Sequence, residues 1–254
     1  MKSQLYLWSR QVLYVGRSFD SQEHTHHAVQ LTIALDGPLR LNKGGDQERL
    51  LSAVIIDSET RHSLLIEGQW VASLYLEPES EDYERLVNFF PGDQTGGFKN
   101  FSVKEKLKTQ FLDMLKTGAD PTLAKQLVQK LIEPAEIQEA QPLDPRIIKA
   151  LRYLDQSQGV QVPLEQLAKH VSLSPDRLAH LFRQQLGTPI RRYVLWQKLR
   201  SAAKAACQGK PLIYAAQEGG FTDSAHLTRS FQKLFGINPS FLFSAQHQLI
   251  MYVE

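Results

Sequence analysis

Residues 172–187 have the sequence SLSPDRLAHLFRQQLG, and residues 222–236 have the sequence TDSAHLTRSFQKLFG. Each stretch begins near a residue that can cap a helix, Ser174 or Asp223, and ends on a glycine. Apolar residues recur between these ends at spacings of three and four, which predicts an amphipathic helix in each copy. The duplication, with matching caps and matching glycines, favours a repeated functional unit over two unrelated helices of an α-bundle.

The two helices share a buried stripe but differ on the opposite face. An isolated helix cannot hide its apolar stripe, so we expect that stripe to pack on neighbouring helices. It comprises Leu178, Leu181, Phe182 and Leu186 in the first copy, and Leu227, Phe231, Leu234 and Phe235 in the second. The opposite faces, free to contact a ligand, comprise Asp176, Ala179, His180 and Arg183, and then Ala225, Thr228, Arg229 and Gln232.

A short helix is predicted before each copy, in LEQLAKHVSLS (164–174) and IYAAQEGGFTD (213–223). A small residue in each, Ala168 or Ala216, permits two helices to cross closely. A helix-turn-helix needs such an angled pair, because its second helix must project into the DNA major groove. The sequence therefore predicts two helix-turn-helix units, at about 164–187 and 213–236.

The stretch from about Asp144 to Phe243 resembles the DNA-binding domain of the AraC/XylS family of bacterial transcription regulators. The most specific part is AAQEGGFTDSAHLTRSFQKLFGINPSFL, residues 215–242, which is similar to the family signature around the second unit. The resemblance implies that one long helix, here from about Pro189 to Cys207, joins the two units. It also implies that both recognition helices enter successive major grooves on one face of double-stranded DNA.

The resemblance also implies which side chains meet the DNA. The base-contacting positions of the family fall on Asp176, Ala179 and His180 in the first helix, and on Ser224, Ala225, Thr228 and Arg229 in the second. Arg177 completes the predicted DNA-binding set, while Arg183 and Gln232 are expected to contact phosphates. For Arg229, bidentate guanine recognition and a structural or phosphate role both remain open. For Asp176, we favour an interaction with its own helix N-terminus over a base contact.

Charge is distributed unevenly along a chain whose net charge is only +2. From Asp144 onwards there are 14 Lys or Arg residues against 7 Asp or Glu, whereas the preceding residues have 15 against 20. This asymmetry is consistent with a DNA-binding half joined to a partner module that does not bind DNA. A single cysteine, no signal-peptide core and no apolar run of membrane-spanning length predict a cytoplasmic protein without a membrane partner.

The first 80 residues predict a small cupin-like β-barrel. Short apolar runs such as AVQLTIAL, SAVIID and WVASLYLE are separated by turn sequences such as DGP and NKGGD. Helical patterns follow, and the fold class is α+β multidomain with a C-terminal all-α, homeodomain-like part. The predicted domains are the barrel at 1–80, accessory helices at 81–131, a linker at 132–144 and the DNA-binding domain at 145–254.

The barrel sequence also contains a possible metal or effector site. His24, His26 and Gln30 have the spacing HxHxxxQxxxxxxG, which resembles the first cupin motif with glutamine in place of glutamate, and His62 follows. Three imidazoles and an amide could hold a divalent metal. The alternative is that the histidines line an effector pocket or satisfy hydrogen bonds at strand ends. His27 should face away from His26, since neighbouring residues of a strand alternate.

Within the accessory helices, Leu107, Phe111 and Leu115 form an apolar stripe with two possible roles. The stripe could pack on the barrel or form the interface of a homodimer, because regulators of the family often dimerise through this region.

The sequence predicts a sequence-specific transcription regulator that is not an enzyme. Its barrel would sense a small molecule and adjust DNA binding or contact with RNA polymerase. Two alternatives are a cupin-type metalloenzyme fused to a DNA-binding domain and an effector-independent DNA binder.

Overall fold

The structure, a computed structural model, describes residues 1–18, 20–42, 48–65, 68–83, 86, 97–118, 120–132, 143–157, 162–243 and 249–254. The chain forms two compact units, of which the first comprises residues 1–138 together with 231–254 and the second comprises residues 139–230. The predicted linker at 132–144 lies mostly outside the described residues, because 133–142 are not among them.

Among the residues that the structure describes, the first unit contains ten strands in two sheets. The strands are β1 (Gln4–Leu7), β2 (Gln11–Arg17), β3 (Val29–Ala34), β4 (Leu39–Asn42), β5 (Glu48–Leu51), β6 (Ala53–Ile56), β7 (Ser63–Leu65), β8 (Trp70–Leu76), β9 (Phe98–Asn100) and β10 (Ile250–Val253). Seven of them form one sheet in the order β10-β1-β2-β8-β3-β6-β9, and three form a second in the order β5-β4-β7. All pairs are antiparallel except β1 with β10. The predicted sheet-rich N-terminal domain is confirmed.

The two faces of the central strand β3 have different surroundings. Leu31 and Ile33 belong to the hydrophobic core, together with Leu74 of the neighbouring strand β8 and Leu13 of β2. Side chains alternate across a strand, so Gln30 and Thr32 occupy the other face, and both are also buried. A buried polar face requires hydrogen-bond partners, which for Gln30 come from a cluster of histidines described below.

Two helices cover the apolar face of the large sheet: α1 (Glu105–Thr117) and α2 (Pro121–Ile132). Phe111 and Leu115 are buried in the same core as the sheet, and Leu107 packs against it. The predicted stripe is therefore covered within one protomer, which fits the core-packing alternative and leaves Phe111 and Leu115 unavailable to a second subunit. At the start of the predicted accessory region, residues 81–83 and 86 are described and are helical, whereas 84–85 and 87–96 lie outside the described residues.

The last strand was not predicted. The sequence predicts a DNA-binding domain that extends to Glu254, but β10 pairs in parallel with β1, in a register that sets Tyr252 opposite Tyr6. Their rings stack with centroids 4.9 Å apart and planes 7° from parallel. The chain thus returns to the N-terminal sheet after the helical region, which corrects the predicted C-terminal boundary.

The helical region comprises α3 (Pro145–Gln156), α4 (Leu164–His170), α5 (Pro175–Leu186), α6 (Ile190–Cys207), α7 (Leu212–Glu218), α8 (Ser224–Phe235) and α9 (Pro239–Leu242). Asp144 caps α3 by accepting a hydrogen bond from the Arg146 amide at 2.8 Å. The long connecting helix predicted from Pro189 to Cys207 is α6, with Pro189 as its N-cap. None of the described helices has the length and apolar character that crossing a membrane requires.

Candidate nucleic-acid interface and a buried histidine cluster

The first helix-turn-helix unit consists of α4 and α5. The Ser174 hydroxyl accepts a hydrogen bond from the Arg177 amide at 3.3 Å, and Gly187 ends α5 in the left-handed conformation. The predicted stripe is buried in full: Leu178, Leu181, Phe182 and Leu186. Each buried side chain of this size contributes roughly 1.5–3 kcal/mol of hydrophobic free energy, so packing fixes the orientation of the helix and of its opposite face.

Ser172, in the turn between α4 and α5, has a φ of 57°. A residue with a Cβ is strained in this region, whereas glycine adopts it freely. We expect Ser172→Gly to raise the free energy of unfolding by about 0.5–1 kcal/mol, because relief of strain exceeds the added entropy of the unfolded chain. Urea denaturation measures the change. Ser157, whose φ is −73°, provides the control, since Ser157→Gly relieves no strain and should not stabilise the protein.

The second helix-turn-helix unit repeats the arrangement with α7 and α8. The Asp223 carboxylate accepts a hydrogen bond from the His226 amide at 2.6 Å, and this bond lowers the pKa of the carboxyl group. Leu227, Phe231 and Leu234 are buried, while Phe235 is half-buried. Both predicted caps and all but the last residue of the predicted stripe are therefore as expected.

Gly219 lies where α7 approaches the connecting helix. A Cβ at this position would lie 2.7 Å from the Lys198 carbonyl oxygen and 2.8 Å from the Ala202 Cβ. The approach is also held by polar contacts, because the Lys198 ammonium donates to the Gly220 carbonyl at 2.9 Å and the Ser201 hydroxyl donates to the Glu218 carbonyl at 3.2 Å. The second helix-turn-helix unit is thus held against α6, because Gly219 lets the backbone at the end of α7 approach the backbone of α6.

We expect Gly219→Ala to destabilise the second unit by at least about 1 kcal/mol, because the backbone oxygen of α6 must move to accommodate the methyl group. Thermal unfolding followed by circular dichroism measures the loss. Gln217→Ala, at an exposed position of the same helix, is the matched control and should leave the midpoint unchanged. An unchanged midpoint for Gly219→Ala would contradict the close approach.

The predicted DNA-facing residues lie on the outer faces of α5 and α8. The exposed residues, seven of the ten, are Asp176, Arg177, His180, Arg183, Ala225, Arg229 and Gln232. The other three, which are half-buried, are Ala179, Ser224 and Thr228. The structure therefore leaves both faces accessible. Asp176 is in the first turn of α5, at the positive end of the helix dipole, but Ser174 and not Asp176 accepts the cap hydrogen bond.

Two features of this surface were not singled out from the sequence. The Thr228 hydroxyl donates to the Ser224 carbonyl at 2.8 Å, which uses the hydroxyl proton within the helix. Arg191 is exposed in the first turn of α6, close in sequence to the end of α5. The pair Arg191-Arg192, which follows the terminal glycine of the first helix-turn-helix unit, is the feature of the sequence that could have indicated this residue.

A cluster of buried histidines lies in the first of the two compact units, which contains the sheets. His24 and His62 form an isolated antiparallel bridge, in which each amide donates to the carbonyl of the other residue at 2.9 and 3.0 Å. His26 lies beside both, with ring centroids 5.5 Å from His24 and 5.0 Å from His62. One ring nitrogen from each histidine lies within 4.8 Å of the others. The structure thus brings together the three histidines that the sequence motif predicted.

Gln30 joins the cluster from β3. Its Oε1 atom lies 3.0 Å from Nε2 of His26 and 3.2 Å from Nε2 of His62. Its Nε2 atom donates to the Thr32 hydroxyl at 2.9 Å, and that hydroxyl is 3.0 Å from the hydroxyl of Ser73. His27 faces away as predicted, with Nε2 3.0 Å from the Glu79 carboxylate.

Burial changes the proton affinity of the cluster. Desolvation, followed by repulsion from the neighbouring histidines, lowers the pKa of His26 to about 4 and that of His62 to about 2. Burial also lowers the pKa of His24. The three rings are therefore neutral near pH 7, when each has one nitrogen lone pair.

Comparison with known proteins agrees with the geometry of the helical region. The family described as a helix-turn-helix domain matches residues 167–244. The chain is 32% identical over 120 residues to the arabinose operon regulatory protein of Escherichia coli (strain K12). The match covers 46% of this chain and 41% of that protein, so the chain matches less than half the length of this relative.

Two solved structures of ToxT from Vibrio cholerae share the fold. The apo form has a TM-score of 0.62 and 11% identity, covering 94% of this chain and 98% of ToxT. A form with an unsaturated fatty acid bound has a TM-score of 0.58 and 11% identity, covering 93% and 96%. Residues 167–244 therefore match a helix-turn-helix domain family, and the C-terminal part of the chain is similar to the arabinose operon regulatory protein.

Proposed function

We propose that the protein is a transcription regulator that binds double-stranded DNA by inserting α5 and α8 into two successive major grooves. The observation that supports this most directly is the matched pair of helices, each with its apolar stripe buried and its opposite face accessible. Such a face can reach base edges without exposing the core. The excess of basic residues after Asp144 adds the sequence-independent attraction to phosphates.

Within this proposal, the exposed side chains have different roles. Arg229 contacts a guanine in the groove entered by α8, because its guanidinium can donate two hydrogen bonds to the O6 and N7 atoms. His180 contacts a base in the groove entered by α5. Arg177, Arg183 and Arg191 contact phosphates, which position the domain without specifying sequence.

The proposal gives the N-terminal domain a sensory role. The ToxT structure with an unsaturated fatty acid is the precedent for a small molecule bound to a protein of this fold. The compact unit of the present chain that contains the sheets has a cavity of about 400 Å³, lined by residues 34–38 and 50–52, Glu105 and Lys108. This volume suits a small molecule, which would change DNA affinity only through a difference in its affinity for two arrangements of the protein.

A homodimer and a contact with RNA polymerase complete the proposal. Phe111 and Leu115 are buried within the protomer, so the dimer would need another surface. Analytical ultracentrifugation of the free protein and of its DNA complex distinguishes one bound copy from two.

The first test is selection of genomic DNA fragments by the purified protein at physiological salt, followed by sequencing of the retained fragments. We expect an enriched site with two short elements about one helical turn, roughly 10 bp, apart, because two recognition helices contact one face of the DNA. Retention without an enriched sequence that disappears as salt rises would mean phosphate binding alone, and would overturn the proposal.

The sensory part has its own test. Compounds that raise the melting temperature of the protein are added to the binding assay with the selected site. A saturating compound that changes neither DNA affinity nor transcription in vitro would contradict a role as effector.

A further inference from the structure

We propose that the N-terminal unit binds one divalent first-row transition metal ion, of the chemical class of zinc, through Nε2 of His24, His26 and His62 and Oε1 of Gln30. All four side chains are buried, and the three histidines each place a ring nitrogen within 4.8 Å of the others. Imidazole nitrogen and amide oxygen are donors that such an ion accepts. This proposal is independent of DNA binding.

The hydrogen bonds of the rings fix which nitrogen is available. Nδ1 of His24, His26 and His62 lies 2.8, 2.7 and 2.9 Å from a backbone carbonyl oxygen, of Gln22, Ala28 and Thr60 respectively. A carbonyl only accepts, so each Nδ1 carries the proton and each Nε2 of a neutral ring has a free lone pair. Outer hydrogen bonds of this kind hold the ligating histidines of metal sites in a single tautomer.

The orientation of the Gln30 side-chain amide is the feature in which a cation site and an ordinary polar core would differ. Its Oε1 atom accepts hydrogen bonds, yet it lies 3.0 and 3.2 Å from Nε2 atoms that also accept. Its amide nitrogen donates in the opposite direction, to Thr32. Acceptors that converge without a donor repel one another, and a cation between them converts that repulsion into coordination.

Binding would also contract the cluster. Ligands about 2.1 Å from zinc in a tetrahedron are about 3.4 Å apart, which is less than the present separation of up to 4.8 Å. The rings must therefore move inward by about an ångström. Because His24 and His62 are joined through their backbones, the ion would tie the segment before β3 to the segment before β7. We therefore expect metal binding to stabilise the N-terminal unit.

The experiment uses the full chain without a histidine tag, stripped by a chelator and dialysed. Co²⁺ is titrated in first, because its visible absorption reports coordination geometry, and Zn²⁺ is then added to displace it. We expect one equivalent of Co²⁺ with tetrahedral absorption bands, displacement by one equivalent of Zn²⁺, and a melting temperature that rises with metal concentration.

Variants of the ligands test the assignment. His26→Ala and His62→Ala should each weaken Co²⁺ binding by more than the 10–100-fold that the loss of an outer hydrogen-bond partner typically causes. Gln30→Glu should instead tighten binding, because a carboxylate adds a negative charge at the fourth position. His180→Ala removes an exposed histidine of α5 and should leave the affinity and stoichiometry unchanged.

Gln30→Glu keeps the test decisive even if the alanine variants do not fold. In a core without metal, the Gln30 amide would be turned so that its NH₂ group donates to both rings, and the native protein would bind no ion. Binding by Gln30→Glu alone would then mean that the added carboxylate creates the site, and would overturn the proposal. Absence of stoichiometric binding by the native protein, or equal binding by native, His62→Ala and Gln30→Glu proteins, would overturn the proposal.

Discussion

Replacing one proposed base-contacting side chain in each recognition helix, His180→Ala in α5 and Arg229→Ala in α8, is expected to weaken binding to the selected DNA site by at least about 30-fold in the double variant. Each base contact contributes about 1–3 kcal/mol of discrimination, which corresponds to roughly 5–150-fold in affinity. The two side chains lie on different helices, so their effects should add as free energies and multiply as affinities. Fluorescence anisotropy with a labelled duplex measures the single and double variants.

A control variant separates base contact from simple loss of charge. Arg152 is exposed on α3, outside both helix-turn-helix units, and Arg152→Ala removes the same charge as Arg229→Ala. We expect Arg152→Ala to leave affinity for the selected site nearly unchanged. If Arg229→Ala lowered affinity for random and selected DNA by the same factor, Arg229 would be a phosphate contact, and the proposed guanine contact would be wrong.

The helix-turn-helix units could be predicted from the sequence because their determinants are local. Caps such as Ser174 and Asp223, terminal glycines and the apolar stripes all lie within one or two turns of the residues they organise. The duplication indicated a repeated functional unit, whereas a single amphipathic helix would also fit an ordinary α-bundle. Structure was needed for the close approach of α7 to α6, since nothing in the sequence around Gly219 specifies which backbone it meets.

Long-range pairing was the part of the fold that the sequence did not reveal. The sequence IMYV at 250–253 is four residues long and follows a helical domain, so its pattern alone does not assign it to a sheet. Its partner, β1, is at the opposite end of the chain, and only the stacking of Tyr6 on Tyr252 shows why they pair. The stripe of α1 was recognised, but whether it packs on the sheet or on a partner depends on tertiary structure.

The histidine cluster was predictable in membership but not in chemistry. Motif spacing grouped His24, His26, Gln30 and His62, and strand alternation turned His27 away from them. The pairing of each Nδ1 with a carbonyl depends on backbone geometry at three separate turns, which no spacing encodes. That pairing, and the burial that accompanies it, determine how the cluster responds to protons.

Acidification of the metal-free protein from pH 6.5 to about pH 4.5 is expected to lower its free energy of unfolding by several kcal/mol. Burial lowers the pKa of His26 to about 4 and that of His62 to about 2, whereas the unfolded chain has the ordinary value near 6.5. Below pH 6.5 the unfolded state therefore binds protons that the folded state does not, and stability falls as pH falls. Two such groups change stability by nearly 3 kcal/mol per pH unit.

Urea denaturation at half-unit steps of pH measures this dependence, and a glutamine at position 62 isolates one histidine. Glutamine does not titrate, so His62→Gln should reduce the slope by about 1.4 kcal/mol per pH unit, whatever its effect on stability at pH 7. Gln217→Ala, at an exposed position without a titratable group, should leave the slope unchanged. A carboxyl group with the same pKa in both states adds nothing to the slope, and the difference in slope between the native and His62→Gln proteins cancels the contribution of the other carboxyl groups. A native protein equally stable at pH 7 and pH 4.5 would show that the buried rings accept protons in the folded state.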